Sequence, residues 1–320
     1  MTDMDLYIEP HLRWRLLQSG DAEALAALRT QLEALDNSVL TGLGAEFTGQ
    51  DTHVPAALAV GGWDPYDSLS AYGLAYQPDE SVLKLHLLGG VHPVHRHMSV
   101  GSSLLRWQVE RSIAWRDEVH PGQDLTLCCH AETGRPGLER AALAIGFTPE
   151  RYYYDLHRDL GSPIPERTVD GVRVVSFPPE RSDDVRRVHN RSFANLGSAE
   201  VSPEQWGARI EDPAFRPEWS SIALVGERVV GYALCVEEGE AGQRVGWTER
   251  FGVDPDHRRR GIALALLSRS LRAMRADGCV EAGIGIDTPD GLGLARIGED
   301  LGYTTRDAVA LLTRVVPADR

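Results

Sequence analysis

The stretch Phe251-Gly-Val-Asp-Pro-Asp-His-Arg-Arg-Arg-Gly-Ile-Ala-Leu-Ala-Leu-Leu267 decides the architecture of this 320-residue chain. An apolar run ends at Val253, and Pro255 cannot donate to a sheet ladder, so a strand stops there. Ile262, Leu266 and Leu267 then fall on one helical face. The turn between them opens a helix, where unpaired N–H groups and the positive end of the helix dipole converge. Arg258, Arg259 and Arg260 add charge, and Gly261 puts no Cβ in the way of an approaching group. Such a turn suits a diphosphate.

A second copy of the pattern stands earlier. Val91-His-Pro-Val-His-Arg-His-Met-Ser-Val-Gly101 repeats Val-x-Pro-x-His-Arg at the end of an apolar run, and Ile145-Gly-Phe147 matches Leu301-Gly-Tyr303 further on. Matched landmarks in the same order at nearly constant spacing indicate a duplicated domain. The Pro- and Gly-punctuated segment Gly161-Ser-Pro-Ile-Pro-Glu166 marks the boundary. The expected layout is a first domain over 1–160, a linker over 161–169 and a second domain over 170–320.

In the second half, strands are expected at Val172–Phe177, Ser221–Val225, Val229–Val236, Arg244–Val253, Cys279–Ile286 and Val309–Val315. Helices are expected at Glu180–Asn195, Gly261–Ala276 and Leu292–Leu301. The first half follows a similar plan in worn form. The fold class is α+β: two tandem domains, each a mixed, mostly antiparallel sheet with helices on both faces.

Arg258-x-x-Gly261-x-Ala263 after Val253-x-Pro255, with the Leu-Gly-Tyr landmark about forty residues on, resembles the acyl-CoA-binding motif of the GNAT superfamily of N-acetyltransferases, in its tandem form. The resemblance implies an acetyltransferase that moves an acetyl group from acetyl-CoA, its cosubstrate, to a primary amine of a small molecule. It implies that Phe251, Gly252 and Val253 offer main-chain groups to the pantetheine arm. Their strand would splay from the one after it, and Arg258, Arg259, Arg260, Gly261, Ile262 and Ala263 would hold the pyrophosphate. A non-catalytic acyl-CoA-binding or regulatory protein, or a cofactor held by the first domain, are the competing readings.

Amide formation from a thioester needs a neutral amine and a proton for the departing thiolate. GNAT enzymes often use a glutamate on the strand before the phosphate turn, acting through water. Trp247 stands at its usual position, so Glu249 becomes the candidate base, on one face with Phe251 and Val253 by the period of two. The family's tyrosine position is Gly298 and its asparagine position Gly291. Tyr303 is therefore the candidate acid, with Tyr232 as the other hydroxyl, and each also suits a core. The first half has Ser99 where Gly261 stands, which marks it as a structural or substrate-shaping domain. Ser198 to Trp219, rich in Pro, Trp and acids, reads as a loop that shapes the acceptor pocket.

The formal charge of −14 argues against a nucleic-acid or anionic-membrane partner. No run of eighteen apolar residues and no secretory signal are present, so the protein is expected in the cytoplasm. Cys128, Cys129, Cys235 and Cys279 form no C-x-x-C pair, and His92, His95 and His97 read as a surface turn, so no metal is expected. Oligomeric state is not legible at this level.

Overall fold

The computed structural model describes residues 6–36, 54–78, 81–194, 200–239, 244–289 and 295–318. The chain divides into two compact units, the first made of residues 1–152 and 307–320, the second of residues 153–306.

In chain order the first unit holds β1 (Arg13–Leu16), α1 (Ala22–Asp36), β2 (Ala59–Trp63), β3 (Leu69–Tyr76), β4 (Lys84–Val91), α2 (Val100–Val119), β5 (Leu125–Glu132) and α3 (Pro136–Ala144). Strand β6 (Thr148–Asp159) runs from the first unit into the second. The second unit continues with β7 (Arg173–Ser176), α4 (Ser182–Phe193), α5 (Pro203–Ile210), β8 (Ser221–Val225), β9 (Arg228–Glu238), β10 (Val245–Val253), α6 (Ile262–Ala276), β11 (Glu281–Thr288) and α7 (Ala295–Leu301). The last strand, β12 (Thr304–Val316), belongs to the first unit from residue 307 onward.

Within the second unit the strands lie in the order β6-β11-β10-β9-β8-β7, antiparallel from β7 to β10 and parallel between β10 and β11. The alternation of strand residues sorts two cores. Ala223, Val230, Ala233, Cys235, Ala282, Ile284 and Ile286 meet Ile262, Leu266, Leu267, Leu271 and Met274 of α6. Ile222, Leu224, Tyr232 and Leu234 point the other way, onto Val185 and Val188 of α4 and Trp206 of α5. Each fully buried aliphatic side chain of this kind stabilises the fold by about 1.5–3 kcal/mol.

The first unit repeats the plan in the order β1-β2-β3-β4-β5-β12, with β4 and β5 parallel. Helix α2 covers one face through Leu105 and Val109, and α1 the other through Leu25, Leu28 and Leu32.

Two features depart from the boundaries expected above. Residues 161–169 are packed rather than loose: Ser268 Oγ donates to the Pro165 carbonyl at 2.5 Å, and Glu166 pairs with Arg272 at 2.9 Å. Ile164 and Val169 lie against the α6 core. The final strand also joins the unit opposite to the one its sequence position suggests, since Val309–Val316 pair antiparallel with Leu125–Glu132. The apolar edge of β5 needs a partner, and the chain end supplies it. The expected loop over Ser198–Trp219 contains α5, opened by a capping box between Ser202 and Gln205. Residues 195–199 lie outside the described residues.

A chain cut after Arg306 leaves β5 with a bare apolar edge. It is expected to aggregate or to lose cooperative unfolding in calorimetry and gel filtration. A monomeric truncated chain melting at the full-length temperature would refute this pairing.

Candidate active site

Strand β10 ends as the sequence indicates. Asp254, almost fully buried, accepts a hydrogen bond from the Asp256 N–H at 3.1 Å and opens a short 3-10 turn over Pro255–His257. Arg259 then takes φ 59° and Gly261 φ 82°, both left-handed, and α6 begins. The Arg258 N–H turns back to the Pro255 carbonyl, and the Ala265 N–H bonds the Gly261 carbonyl. Between them, the N–H groups of Arg259 through Ala263 find no acceptor among the described residues. They form a cradle of main-chain donors at a helix start, which fits a diphosphate. The nearest atom to a Cβ at Gly261 would be Val169 Cγ2 at 3.6 Å, so the glycine is required by its φ rather than by crowding within the protein.

Arg258 does a different job from the one the resemblance implies. Its guanidinium donates to the Val253 carbonyl at 3.2 Å and to the Ser192 carbonyl at 2.6 Å, tying the turn to the end of α4. The first unit repeats this device: Arg96 donates to the Val91 carbonyl and to Asp36 at the end of α1. The backbone repeats too, with His97 at φ 62° and Ser99 at φ 64°. Ile262 is buried in the core, so only its main chain faces the cradle.

Below the cradle, β10 and β11 part. They pair from Val245/Glu281 to Thr248/Ile284 and no further, although β10 runs on to Val253 and β11 to Thr288. Main-chain groups of Glu249 to Val253 that face the gap are therefore unpaired by β11. Against β9 the same strand carries a bulge between Thr248 and Arg250. Opposed residues share a face, so Phe251 and Val253, opposite Ala233 and Gly231, lie toward α6. Arg250, opposite Leu234, lies toward α4. Glu249 is the extra residue, and the bulge shifts the phase by one. This corrects the expectation from strict alternation: Glu249 shares the α4 side with Trp247 and Arg250, opposite Phe251 and Val253.

On that side Glu249 accepts from Arg209 Nε of α5 at 3.1 Å and lies 3.7 Å from Arg250 Nε. Behind them His189 Nδ1 and the Tyr232 hydroxyl share a 2.6 Å hydrogen bond, boxed by Phe193 and Trp206. Burial, reinforced by Arg250 and Arg209, pushes His189 down to about 4. Burial drives the Tyr232 hydroxyl well above the usual phenol range. None of His189, Arg209 and Arg250 was singled out by sequence: α5, which carries Arg209, was read as a loop, and nothing local marks His189 on α4 or Arg250 on β10 as facing this pocket. The capping pattern Ser202-Pro-Glu-Gln205 was the available signal.

Tyr303 lies on the other side, against α6. It is 6% exposed, and its hydroxyl lies near Thr248 without a well-formed hydrogen bond among the described residues. Burial, and Cys235 beside it, push the phenol well up, while the Thr248 hydroxyl and Arg158 oppose the shift. Thr248 is the last residue of β10 paired to β11, so this hydroxyl sits at the base of the parted strands. A Cβ at Gly298 would come within 3.5 Å of Tyr303 Cβ. Gly291 lies outside the described residues.

The comparisons agree with this geometry. Residues 183–298 match the model of the acetyltransferase (GNAT) family. The chain is similar to a mycothiol acetyltransferase of Thermobispora bispora, 27% identical over 75% of this chain and 78% of the relative. It is also similar to one of Amycolatopsis mediterranei, 29% identical over 68% and 71%. In fold it resembles a GCN5-related N-acetyltransferase from Sphaerobacter thermophilus (TM-score 0.65, 21% identity, 97% and 98% covered). It resembles likewise a tandem GNAT protein from the clavulanic acid biosynthesis pathway (TM-score 0.53, 14% identity, 96% and 100% covered). Residues 183–298 thus carry a GNAT-type acetyltransferase domain, and the chain is an N-acetyltransferase with the fold of tandem GNAT proteins. Acetyl-CoA is its acetyl donor. Among the described residues no helix is long and apolar enough to cross a membrane.

Because His189 is neutral when buried, the folded enzyme binds fewer protons there than the unfolded chain does below pH 6.5. Its contribution is complete above pH 6.5 and is lost as pH falls toward 4, on the order of 3 kcal/mol in all. Urea unfolding across pH 4–7.5 is expected to show this loss, and His189→Phe to flatten it. The same variant should lower stability at pH 7 by about 1–3 kcal/mol, since the buried Tyr232 hydroxyl loses its partner. An unchanged pH slope in His189→Phe would overturn the assignment.

Proposed function

We propose that acetyl transfer takes place in the second unit, at the parting of β10 and β11, and that the acceptor is a primary amine of a small molecule. The observation that supports this reading is the succession of three features along β10: the free N–H cradle beyond its end, the unpaired edge of Glu249 to Val253, and Tyr303's hydroxyl beside Thr248 where the strands part. The relatives named for mycothiol support a small-molecule acceptor as a class.

The main-chain N–H groups of Arg259 to Ala263 hold the diphosphate, and the exposed edge of Glu249 to Val253 receives the pantetheine amides. Arg259 and Arg260 are solvent-exposed and add positive charge beside the cradle. Arg258 acts from behind it, fixing the turn against α4. Unpaired N–H groups along the same edge polarise the thioester carbonyl.

Glu249, oriented by Arg209, takes the proton that the amine nitrogen gives up, through a water as the family does. The amine lone pair forms the new C–N bond, and the C–S bond breaks. Tyr303 remains protonated through the working pH range, so its hydroxyl donates a hydrogen bond to the sulfur as charge develops there. The products are the N-acetylated amine and coenzyme A.

Acetyl-CoA is expected to raise the melting temperature, and Gly261→Glu to abolish that shift while the variant still folds cooperatively. A left-handed φ costs a non-glycine residue about 1–2 kcal/mol, so a small drop in apo stability accompanies it. Ser99→Glu in the first unit should leave turnover intact. A retained shift in Gly261→Glu, or its loss in Ser99→Glu alone, would move the site to the first unit.

In thiol-release assays, Glu249→Gln is expected to lower kcat by about 10²-fold or more. Tyr303→Phe is expected to lower kcat by roughly tenfold with KM for acetyl-CoA little changed. Full turnover in Glu249→Gln would remove the base. Full turnover in Tyr303→Phe would remove the donor.

A further inference from the structure

Trp247 occupies the family's usual base position, and acid–base chemistry does not use it. Its placement is specific. In register it pairs with Gly283 of β11, and the indole lies across that strand: a Cβ at Gly283 would collide with the ring, and one at Gly285 would sit 3.8 Å from Cζ2. Two side-chain-free positions in alternation therefore let a large aromatic plate lie flat on the sheet. Trp247 is only half-buried. The corresponding register position in the first unit pairs His86 with Cys128, and His86 stacks on the His130 ring at 5.6 Å. There the strand carries side chains in place of the glycines, and no indole plate forms.

The surroundings of the plate are anionic. His157 lies with its ring 5.6 Å from the indole, held between Asp155 at 2.9 Å and Glu281 at 2.5 Å. Glu238, one strand over, faces the same side, since Val245 opposes it and Trp247 opposes Val236. Loss of water, then repulsion from Asp155, pushes the Glu238 carboxyl up, with His157 opposing the shift and Glu249 adding to it. Three carboxylates, Asp155, Glu238 and Glu281, thus gather near Trp247 with the His157 imidazole among them. Arg209 and Arg250 sit at the other end, on Glu249.

Resting on the acceptor side proposed above, we infer that Trp247 is a specificity-determining residue that binds a second, non-reacting ammonium of the acceptor over its indole face. The acceptor class is then an oligoamine with two amines on a short aliphatic spacer. One nitrogen reaches Glu249. The other rests on Trp247, two residues back along the strand and about 6–7 Å away, within the field of Glu238, Asp155 and Glu281. An aromatic face with carboxylates at its rim is what a desolvated ammonium requires.

The test compares 1,4-diaminobutane with n-butylamine, by thiol release and by calorimetric titration into the enzyme saturated with CoA. The diamine is expected to show at least tenfold higher kcat/KM, carried by KM, and a measurable binding heat that butylamine lacks. Trp247→Leu keeps an apolar side chain without the π face and should erase the preference, lowering kcat/KM for the diamine at least tenfold more than for butylamine. Trp247→Phe should keep most of it, which a merely structural role would not predict. Equal kcat/KM for the two amines, or a preference that survives in Trp247→Leu, overturns the inference. Should neither amine turn over, the calorimetry decides: absence of diamine binding by enzyme that still shows its acetyl-CoA melting shift sinks this inference alone. Loss of the acetyl-CoA shift itself would instead sink the parent reading.

Discussion

The site depends on the separation of two neighbouring parallel strands. Beyond Thr248 and Ile284, β10 and β11 no longer bond each other, and the backbone groups so released must find other partners or water. A ligand that presents amides along its length satisfies them. The bulge beside this point does not cause the separation, because β4 and β5 of the first unit also part after His86 and Cys128 while β3 and β4 pair without interruption. What the bulge changes is side-chain aim. It carries Glu249 across the sheet to the side where Trp247 and Arg209 stand, away from the core-facing Phe251 and Val253.

Duplication separates the demands of backbone from those of chemistry. The two turns share left-handed residues at corresponding places, and each uses an arginine to lace the strand end to the preceding helix. Ser99 holds at φ 64° what Gly261 holds at φ 82°, at a cost of about 1–2 kcal/mol. In both units the left-handed turn joins the end of a strand to the start of a helix, with serine in one and glycine in the other. The side chains at the sheet face are not retained. Trp247 over paired glycines in one unit corresponds to His86 over Cys128 and His130 in the other.

Fold class, element order and the cradle were legible because each rests on local signals: Pro255 ending a strand, Gly261 opening a helix, apolar spacing along α6. Three things were not. The bulge at Glu249 leaves no mark in a polar Thr-Glu-Arg triplet, so alternation put the glutamate on the wrong face. Helix α5 carried a capping signal, but Pro and Trp in the same stretch read as loop. The destination of β12 is a long-range pairing, and no window around Val309 contains the edge of β5 it completes.

Arginine 258 illustrates how a motif and its mechanism differ. Basic residues before a helix start invite the reading that each meets the phosphate, yet this guanidinium is already held by two carbonyl oxygens. Moving it to a ligand would leave the Ser192 and Val253 carbonyls without those donors and loosen the tie between α4 and the turn. The anion is better served by amides that cannot move than by a side chain that must be reoriented, because preorganised donors need no rearrangement as the ligand arrives. On the proposed reading the arginine's part is therefore indirect: it ties the end of β10 and the close of α4 to the turn whose N–H groups are left free.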